Sequence, residues 1–150
     1  MHHLGSSDYR IARSYLSDKK FFAHVRSDKI ETALLHGNII LENSVLIHYN
    51  KYKKKTKLGN VFANKNEVIL HQISNKNFGN GNAVSVINRF FDYVNTTVYL
   101  CVRNDNPRAI RFYEKVGMKC VGKIFWGKDK NIEGKVFMKY TGNTLSSFLE

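Results

Sequence analysis

Residues 104–118, with the sequence NDNPRAIRFYEKVGM, contain a complete short helix with both of its boundaries. Pro107 is the single proline of the chain, and proline at the first helical position costs no hydrogen bond because that amide has no partner inside the helix. Asn106 is then the expected N-cap, and Gly117 stands where a left-handed residue ends a helix. The segment therefore predicts one sharply bounded helix, whose apolar stripe contains the hydroxyl of Tyr113.

Length and charge restrict what this helix belongs to. The chain has 150 residues, of which 43% are hydrophobic, so it is long enough for one domain with a real core and too apolar for a disordered protein. We predict a single domain over residues 1–150. The net charge of +12 implies an anionic partner, which is a nucleic acid, a phosphorylated cofactor or an acidic surface.

Cysteine content and apolar runs exclude several classes. Cys101 and Cys120 are the only two cysteines and form no CxxC or Cys/His cluster, so we predict no disulfide framework and no metal site. The sequence contains no apolar run near the length of a membrane span, and MHHLGSS lacks the apolar region of a signal peptide. We therefore predict a cytoplasmic protein. We also expect His2 and His3 to have no role.

The chain predicts the element order ααβββαβαββ. The second helix is expected to open at Ser27 or Asp28 and to close at Gly37, and a hairpin turn is expected near Asn43 and Ser44. Residues 53–66 lie between two predicted strands and are assigned no element. A mixed α/β sheet with helices on both faces fits this order. Helices are predicted over 7–25, 27–37, 83–94 and 106–117, and strands over 38–43, 44–52, 67–74, 96–102, 120–126 and 135–140.

The stretch FGNGNA, residues 78–83, is a candidate anion cradle. It connects a predicted strand to a predicted helix, and its glycines let backbone amides approach a ligand at a helix N-terminus that favours negative charge. It is neither a Walker A loop nor a GxGxxG pattern, since only Gly79 and Gly81 are present. A plain β-to-α turn with glycines and asparagines at positive φ is the alternative interpretation.

This stretch and the proline-containing helix together resemble the two signatures of the GNAT superfamily of acyl-CoA-dependent N-acyltransferases. Gln/Arg-x-x-Gly-x-Gly/Ala falls on residues 78–83, where Phe78 departs from the family's polar residue. The second signature, Asn-x-x-Ala-x-x-x-Tyr-x-x-x-Gly-Phe, falls on Asn106, Ala109, Tyr113, Gly117 and Met118. The resemblance covers residues 38–140, and the family's opening strand is not identified.

The resemblance implies a GNAT-like domain with a mixed, mostly antiparallel central sheet and acetyl-CoA as cosubstrate. In the family, the strand before the pyrophosphate loop splays from its neighbour, and its backbone amides bind the pantetheine arm and polarise the thioester carbonyl. Tyr113 is then the general acid that protonates the leaving thiolate. The implied cofactor-binding residues are Gln72, Ile73, Phe78, Gly79, Asn80, Gly81, Asn82, Ala83, Asn106, Ala109 and Tyr113.

Two residues of the third predicted strand are candidates for the general base. Attack requires a neutral amine, so an alkylammonium with a pKa of about 10 must lose a proton. Glu67 matches a glutamate that some GNAT enzymes carry, and we expect it on one strand face with Ile69, His71 and Ile73. His71 lies nearer the thioester, with a pKa expected to suit a base without large perturbation. Either residue could instead be structural, and His48 and Tyr49 are weaker candidates.

Because of a run of lysines, the chemical class of the acyl acceptor stays open. The segment KYKKKTK surrounds Tyr52 with lysines and is most often a solvated turn, but it would also suit a nucleic acid. A nucleic-acid-modifying GNAT enzyme, such as the phage Mom-type modifiers of DNA adenine, is one alternative to an N-acetyltransferase acting on another amine. A non-catalytic module that binds CoA or nucleic acid is the other. The candidate nucleic-acid contacts are Lys51, Lys53, Lys54, Lys55 and Lys57.

Overall fold

The computed structural model describes residues 1–16, 26–77 and 81–140. After a 3₁₀ turn at Ser6–Asp8, the helices and strands alternate largely as the sequence predicts. The helices are α1 (Tyr9–Leu16), α2 (Ser27–Leu35), α3 (Asn82–Val94) and α4 (Pro107–Lys115). The strands are β1 (Ile39–Glu42), β2 (Val45–Lys51), β3 (Thr56–Leu58), β4 (Val61–Ala63), β5 (Val68–Asn75), β6 (Val98–Arg103), β7 (Lys119–Trp126) and β8 (Ile132–Lys139).

Six of the strands form one mixed sheet, in the order β1-β2-β5-β6-β8-β7. The pairs β1–β2, β6–β8 and β7–β8 are antiparallel, whereas β5 and β6 are parallel, with Val68 opposite Val98 and Ile69 opposite Tyr99. Strands β3 and β4 form a separate antiparallel pair. The predicted fold class, a mixed α/β fold with a mostly antiparallel sheet, is confirmed.

The described chain divides into two compact units, and each has an apolar core. The first unit comprises residues 1–50 and 71–86, and the second comprises residues 51–70 and 87–150. In the first, α1 and α2 pack on the inner residues of β1 and β2, including Ile39 and Leu46. In the second, Ile69, Tyr99 and Val136 are buried against Ala63. A single domain over the whole chain stays a prediction.

Local turn chemistry explains the boundaries of α2 and of the first hairpin. Gly37 has φ of +70° just after α2, and its amide donates to the Leu34 carbonyl, so the predicted glycine stop is confirmed. The predicted opening at Ser27 is confirmed, since Ser27 is the first helical residue, and Arg26 before it is the N-cap with extended backbone angles. Asn43 and Ser44 have φ of 48° and 63°, as a two-residue hairpin with a primed turn requires.

The hairpin of β3 and β4 is the main element that the sequence does not predict. Each strand has only three residues, too few for an alternation pattern to stand out. The hairpin is bonded to a residue far away in the sequence. The Asn60 amide donates to the Lys123 carbonyl at 3.1 Å, and the Asn60 Oδ1 accepts from the Lys123 amide at 2.8 Å. The order from β1 to α3 therefore contains five strands, not three.

Two predicted ends are also corrected. Strand β8 begins at Ile132 rather than at residue 135, since Ile132 already pairs with Trp126 of β7. The N-terminal segment is extended and bonded to β1, with the Leu4 amide donating to Ile39 and the Leu41 amide donating to His2. The expectation that His2 and His3 have no role is therefore wrong, because the backbone of both residues pairs with β1. Residues 17–25 of the first predicted helix lie outside the described residues.

Candidate active site

The second signature coincides with the two caps of α4. The side chain of Asn106 accepts a hydrogen bond from the Ala109 amide at 3.2 Å, and Pro107 follows at the first helical position. At the other end, the Met118 amide donates to the Tyr113 carbonyl at 3.0 Å, and Gly117 has φ of +88°. This is a Schellman cap. The predicted helix is confirmed, and its caps fix Tyr113 in the last turn.

Tyr113 combines a packed ring with a hydroxyl that no described residue bonds. The side chain is half-buried, and its ring centroid lies 5.7 Å from that of Phe112 and 6.2 Å from that of Phe137. Burial raises the pKa of Tyr113 to about 12, so the phenol stays protonated at neutral pH. Among the residues that the structure describes, none forms a hydrogen bond with this hydroxyl. A half-buried donor of this kind calls for a partner that the described residues do not supply.

The glycine turn before α3 is described from residue 81 onward. Gly81 has φ of +74°, and a Cβ atom placed there would meet no atom of the described residues beyond its chain neighbours within 4 Å. Its carbonyl accepts from the Ser85 amide at 3.3 Å, so Gly81 occupies the N-cap position of α3. The amides of Asn82 and Ala83 thus belong to the first turn, whose N–H groups point out of the helix N-terminus. The other three predicted cradle residues, Phe78, Gly79 and Asn80, lie outside the described residues.

The two predicted pantetheine-binding residues lie on β5. Gln72 Oε1 lies 3.5 Å from His48 Nδ1 on the neighbouring strand β2, and the side chains of Gln72 and Ile73 are half-buried. Ser74 follows and donates through its hydroxyl to the Tyr15 carbonyl of α1 at 2.8 Å. This last contact ties the end of β5 to the first helix of the same unit.

His71 belongs to a pair of imidazoles on β2 and β5. The ring centroids of His48 and His71 are 4.9 Å apart, and His71 Nε2 donates to Asn50 Oδ1 at 3.1 Å. Desolvation, followed by the proximity of His48 and Lys29, lowers the pKa of His71 to about 4. The expectation of an unperturbed base is wrong, because this imidazole is neutral at pH 7 but weakly basic.

Glu67 lies directly before β5 rather than within it, so its predicted place on a strand face is corrected. The Glu67 Oε1 accepts from the Asn64 amide at 2.6 Å and from the Tyr99 hydroxyl at 3.2 Å. Desolvation and the nearby Glu67 carboxylate raise the pKa of Tyr99. Sequence reasoning missed Tyr99 because it stands in the continuous apolar run of β6, where its hydroxyl gives no signal of its own.

The described residues contain neither a group of metal-binding side chains nor a membrane-spanning helix. No three His, Cys, Asp or Glu side chains of the described ranges lie close enough to hold a metal ion together. No helix in those ranges is both long and apolar enough to cross a membrane.

The fold matches that of solved acetyltransferases. Ard1 from Thermoplasma volcanium is 15% identical with a TM-score of 0.71, over 94% of this chain and 96% of that one. A GNAT-family acetyltransferase from Streptococcus pneumoniae is 16% identical with a TM-score of 0.69, over 94% and 98%. NAA60 from Arabidopsis thaliana, in complex with acetyl-CoA, is 16% identical with a TM-score of 0.67, over 93% and 98%. No protein-family model and no curated protein matches the sequence. The chain has the GNAT fold.

Proposed function

We propose that this protein is an acetyl-CoA-dependent N-acetyltransferase in which Tyr113 is the general acid. The observation that carries the proposal is the Tyr113 hydroxyl, which is half-buried on a helix with the GNAT signature caps and has no hydrogen-bond partner among the described residues. The GNAT fold supports the same assignment, and one solved protein of this fold contains acetyl-CoA.

The cofactor is proposed to bind at the start of α3 and along the end of β5. The amides of residues 79–83 would hold the pyrophosphate, because the N–H groups at a helix N-terminus point outward and the helix dipole favours an anion there. The open space at Gly81 supports this role, since a phosphate can approach the backbone there. Gln72 and Ile73 would hold the pantetheine arm through their backbone, as the GNAT resemblance implies.

The reaction would proceed by direct attack. The amine nitrogen forms a bond with the thioester carbonyl carbon, the carbon–sulfur bond breaks, and the thiolate receives a proton from Tyr113. A free thiol has a pKa of about 8.5, whereas burial places the pKa of Tyr113 at about 12. Transfer to the free thiolate would be uphill on this comparison, so the phenol donates to the sulfur while charge develops there during carbon–sulfur cleavage. The proton that the acetylated nitrogen loses then restores the phenol through the base or solvent.

Glu67 is the proposed general base. Its carboxylate carries the negative charge that attracts an incoming ammonium group, and Tyr99 and the Asn64 amide fix the position of Oε1. His71 is the second candidate, because its Nδ1 is unprotonated when Nε2 donates to Asn50. Separate Glu67→Gln and His71→Gln variants distinguish them, since loss of the base slows acyl transfer by roughly 10² to 10⁴ while acetyl-CoA binding is retained.

Thermal denaturation with and without acetyl-CoA tests the proposal at the level of binding. A ligand that binds only the folded protein raises the melting temperature, by an amount that increases with the ratio of its concentration to its dissociation constant. We expect acetyl-CoA and CoA to raise the melting temperature and adenosine alone to do so less. An unchanged melting temperature with millimolar acetyl-CoA would reject the proposed cosubstrate.

A further inference from the structure

The segment over residues 51–66, here called the basic hairpin, concentrates the positive charge of the chain. It contains six lysines and no acidic residue, and so carries half of the net charge of +12. All six lysines are exposed. Within the ranges that the structure describes, none of them forms an ion pair. The lysines are Lys51, Lys53, Lys54, Lys55, Lys57 and Lys65.

The basic hairpin is an ordered ribbon with one apolar face. Leu58, Val61 and Ala63 pack into the core of the second unit. The tip is anchored on β7 through two hydrogen bonds between Asn60 and Lys123. A Cβ atom on Gly59 would stand 2.1 Å from the Lys123 carbonyl, so only glycine permits this approach of the two backbones. The lysines are therefore held on a fixed support.

The other face of the ribbon presents an aromatic ring between lysines. The Phe62 side chain is 54% exposed, although burial of such a ring is favourable. Lys57 lies directly opposite Phe62 in the β3–β4 register. The ammonium nitrogen of Lys55 lies 5.1 Å from the centre of the Phe62 ring.

From this arrangement we propose that the basic hairpin binds single-stranded nucleic acid. Lys55 and Lys57 contact phosphates, and Phe62 stacks on an unpaired base, which is how sequence-tolerant binders hold single strands. An acidic peptide would use the lysines but has no base to place on the ring. A duplex would leave the ring without a stacking partner, since its base faces are covered by neighbouring base pairs. The inference is independent of acyl transfer, because none of these residues has a place in the proposed reaction.

Fluorescence anisotropy of the full chain with a labelled oligothymidylate of about twelve nucleotides tests the proposal. We expect Phe62→Leu, which keeps the apolar bulk, to weaken binding by about 5- to 100-fold, the worth of one stacked base. Phe62→Tyr keeps the ring and is expected to bind as the wild type does. Lys55→Gln with Lys57→Gln is expected to weaken binding and to lower the slope of log affinity against log salt by about 1.4.

A matched pair of lysines provides the control. Lys128 and Lys130 are exposed in the turn between β7 and β8, so Lys128→Gln with Lys130→Gln removes the same charge elsewhere. Equal losses in the two double variants would overturn the assignment to the basic hairpin. Unchanged binding in Phe62→Leu, tighter binding to the matching duplex, or no binding at low salt would overturn the single-strand proposal. Retained phosphatidylserine vesicle binding in Phe62→Leu, with no oligonucleotide binding by the wild type, would instead indicate a membrane surface.

Discussion

The Met118 amide donates to the Tyr113 carbonyl at 3.0 Å, so the proposed catalytic residue is itself part of the cap that ends α4. The Gly117 amide completes the cap by donating to the Glu114 carbonyl at 3.0 Å. The spacing of Tyr113, Gly117 and Met118 is therefore a physical requirement of a Schellman cap as well as a family signature. The cap fixes the backbone that positions the phenol.

Gly117→Ala is expected to destabilise the protein and to misplace Tyr113. Alanine at φ of +88° costs roughly 1 to 2 kcal/mol, and its Cβ would also stand 2.6 Å from the flexible Lys139 ammonium. Urea denaturation measures the loss. Gly5→Ala is the control, since Gly5 has φ of −109° and open space around it. Equal stability of the two variants would contradict the role of the cap.

Asn106→Ala is expected to lower the free energy of unfolding by about 1 kcal/mol. The change removes the side-chain acceptor of the Ala109 amide at the start of α4. Asn106→Asp retains an acceptor and favours the helix dipole, so it should be close to the wild type. If alanine and aspartate cost the same, the hydrogen bond to Ala109 contributes nothing to stability.

Gly81→Asn is expected to abolish stabilisation by CoA without a large loss of stability in the free protein. Asparagine tolerates positive φ better than other side chains, and the new side chain would occupy the space proposed for phosphate. Gly37→Asn is the matched control, because Gly37 has φ of +70° and equally open surroundings. Thermal shifts with CoA compare them. A normal CoA shift in Gly81→Asn would reject the cradle.

The imidazole pair is expected to make stability depend on pH. The folded state lowers the pKa of His71 from 6.5 to about 4, so the unfolded chain binds more protons between these values. Its contribution to stability is therefore present above about pH 6.5 and is lost as the pH falls to 4. His48 contributes in the same direction, because desolvation lowers its pKa too.

Urea denaturation of the wild type and His71→Gln at several pH values from about 4 to 6.5, the interval between these two pKa values, tests this dependence. Glutamine does not titrate, so the variant should lose less stability on acidification than the wild type. His36→Gln provides a control at an exposed histidine. The same pH slope in the wild type and His71→Gln would show that the pKa of His71 is not lowered in the folded protein.

The sequence predicts the structure correctly where a local rule decides it. The caps of α4, the glycine after α2 and the turn at Asn43 and Ser44 each follow from the conformational preference of one or two residues. The sequence does not predict the structure where contacts between distant residues decide it. The basic hairpin is held by the contact of Asn60 with β7, and no periodicity within residues 53–66 predicts that contact.

The candidate chemistry divides in the same way. The position of Tyr113 on α4 is predictable because its spacing from Asn106 and Gly117 is fixed by helix geometry, whereas its proposed role rests on the GNAT resemblance. The weak basicity of His71 is not predictable from the sequence, because it arises from desolvation and from His48, which lies on another strand. The Tyr99 hydroxyl that holds Glu67 was hidden for the same reason.

Acyl transfer by Tyr113→Phe, compared with the wild type at saturating acetyl-CoA, tests the central claim most directly. The variant keeps the ring that packs near Phe137 and loses only the hydroxyl, so its melting temperature and CoA affinity should change little. Release of CoA thiol in the presence of an amine that the wild type acetylates should slow by roughly 10² to 10⁴. An undiminished rate with carbon–sulfur cleavage shown to be rate-limiting, or no thiol release by the wild type with any amine, would contradict the account.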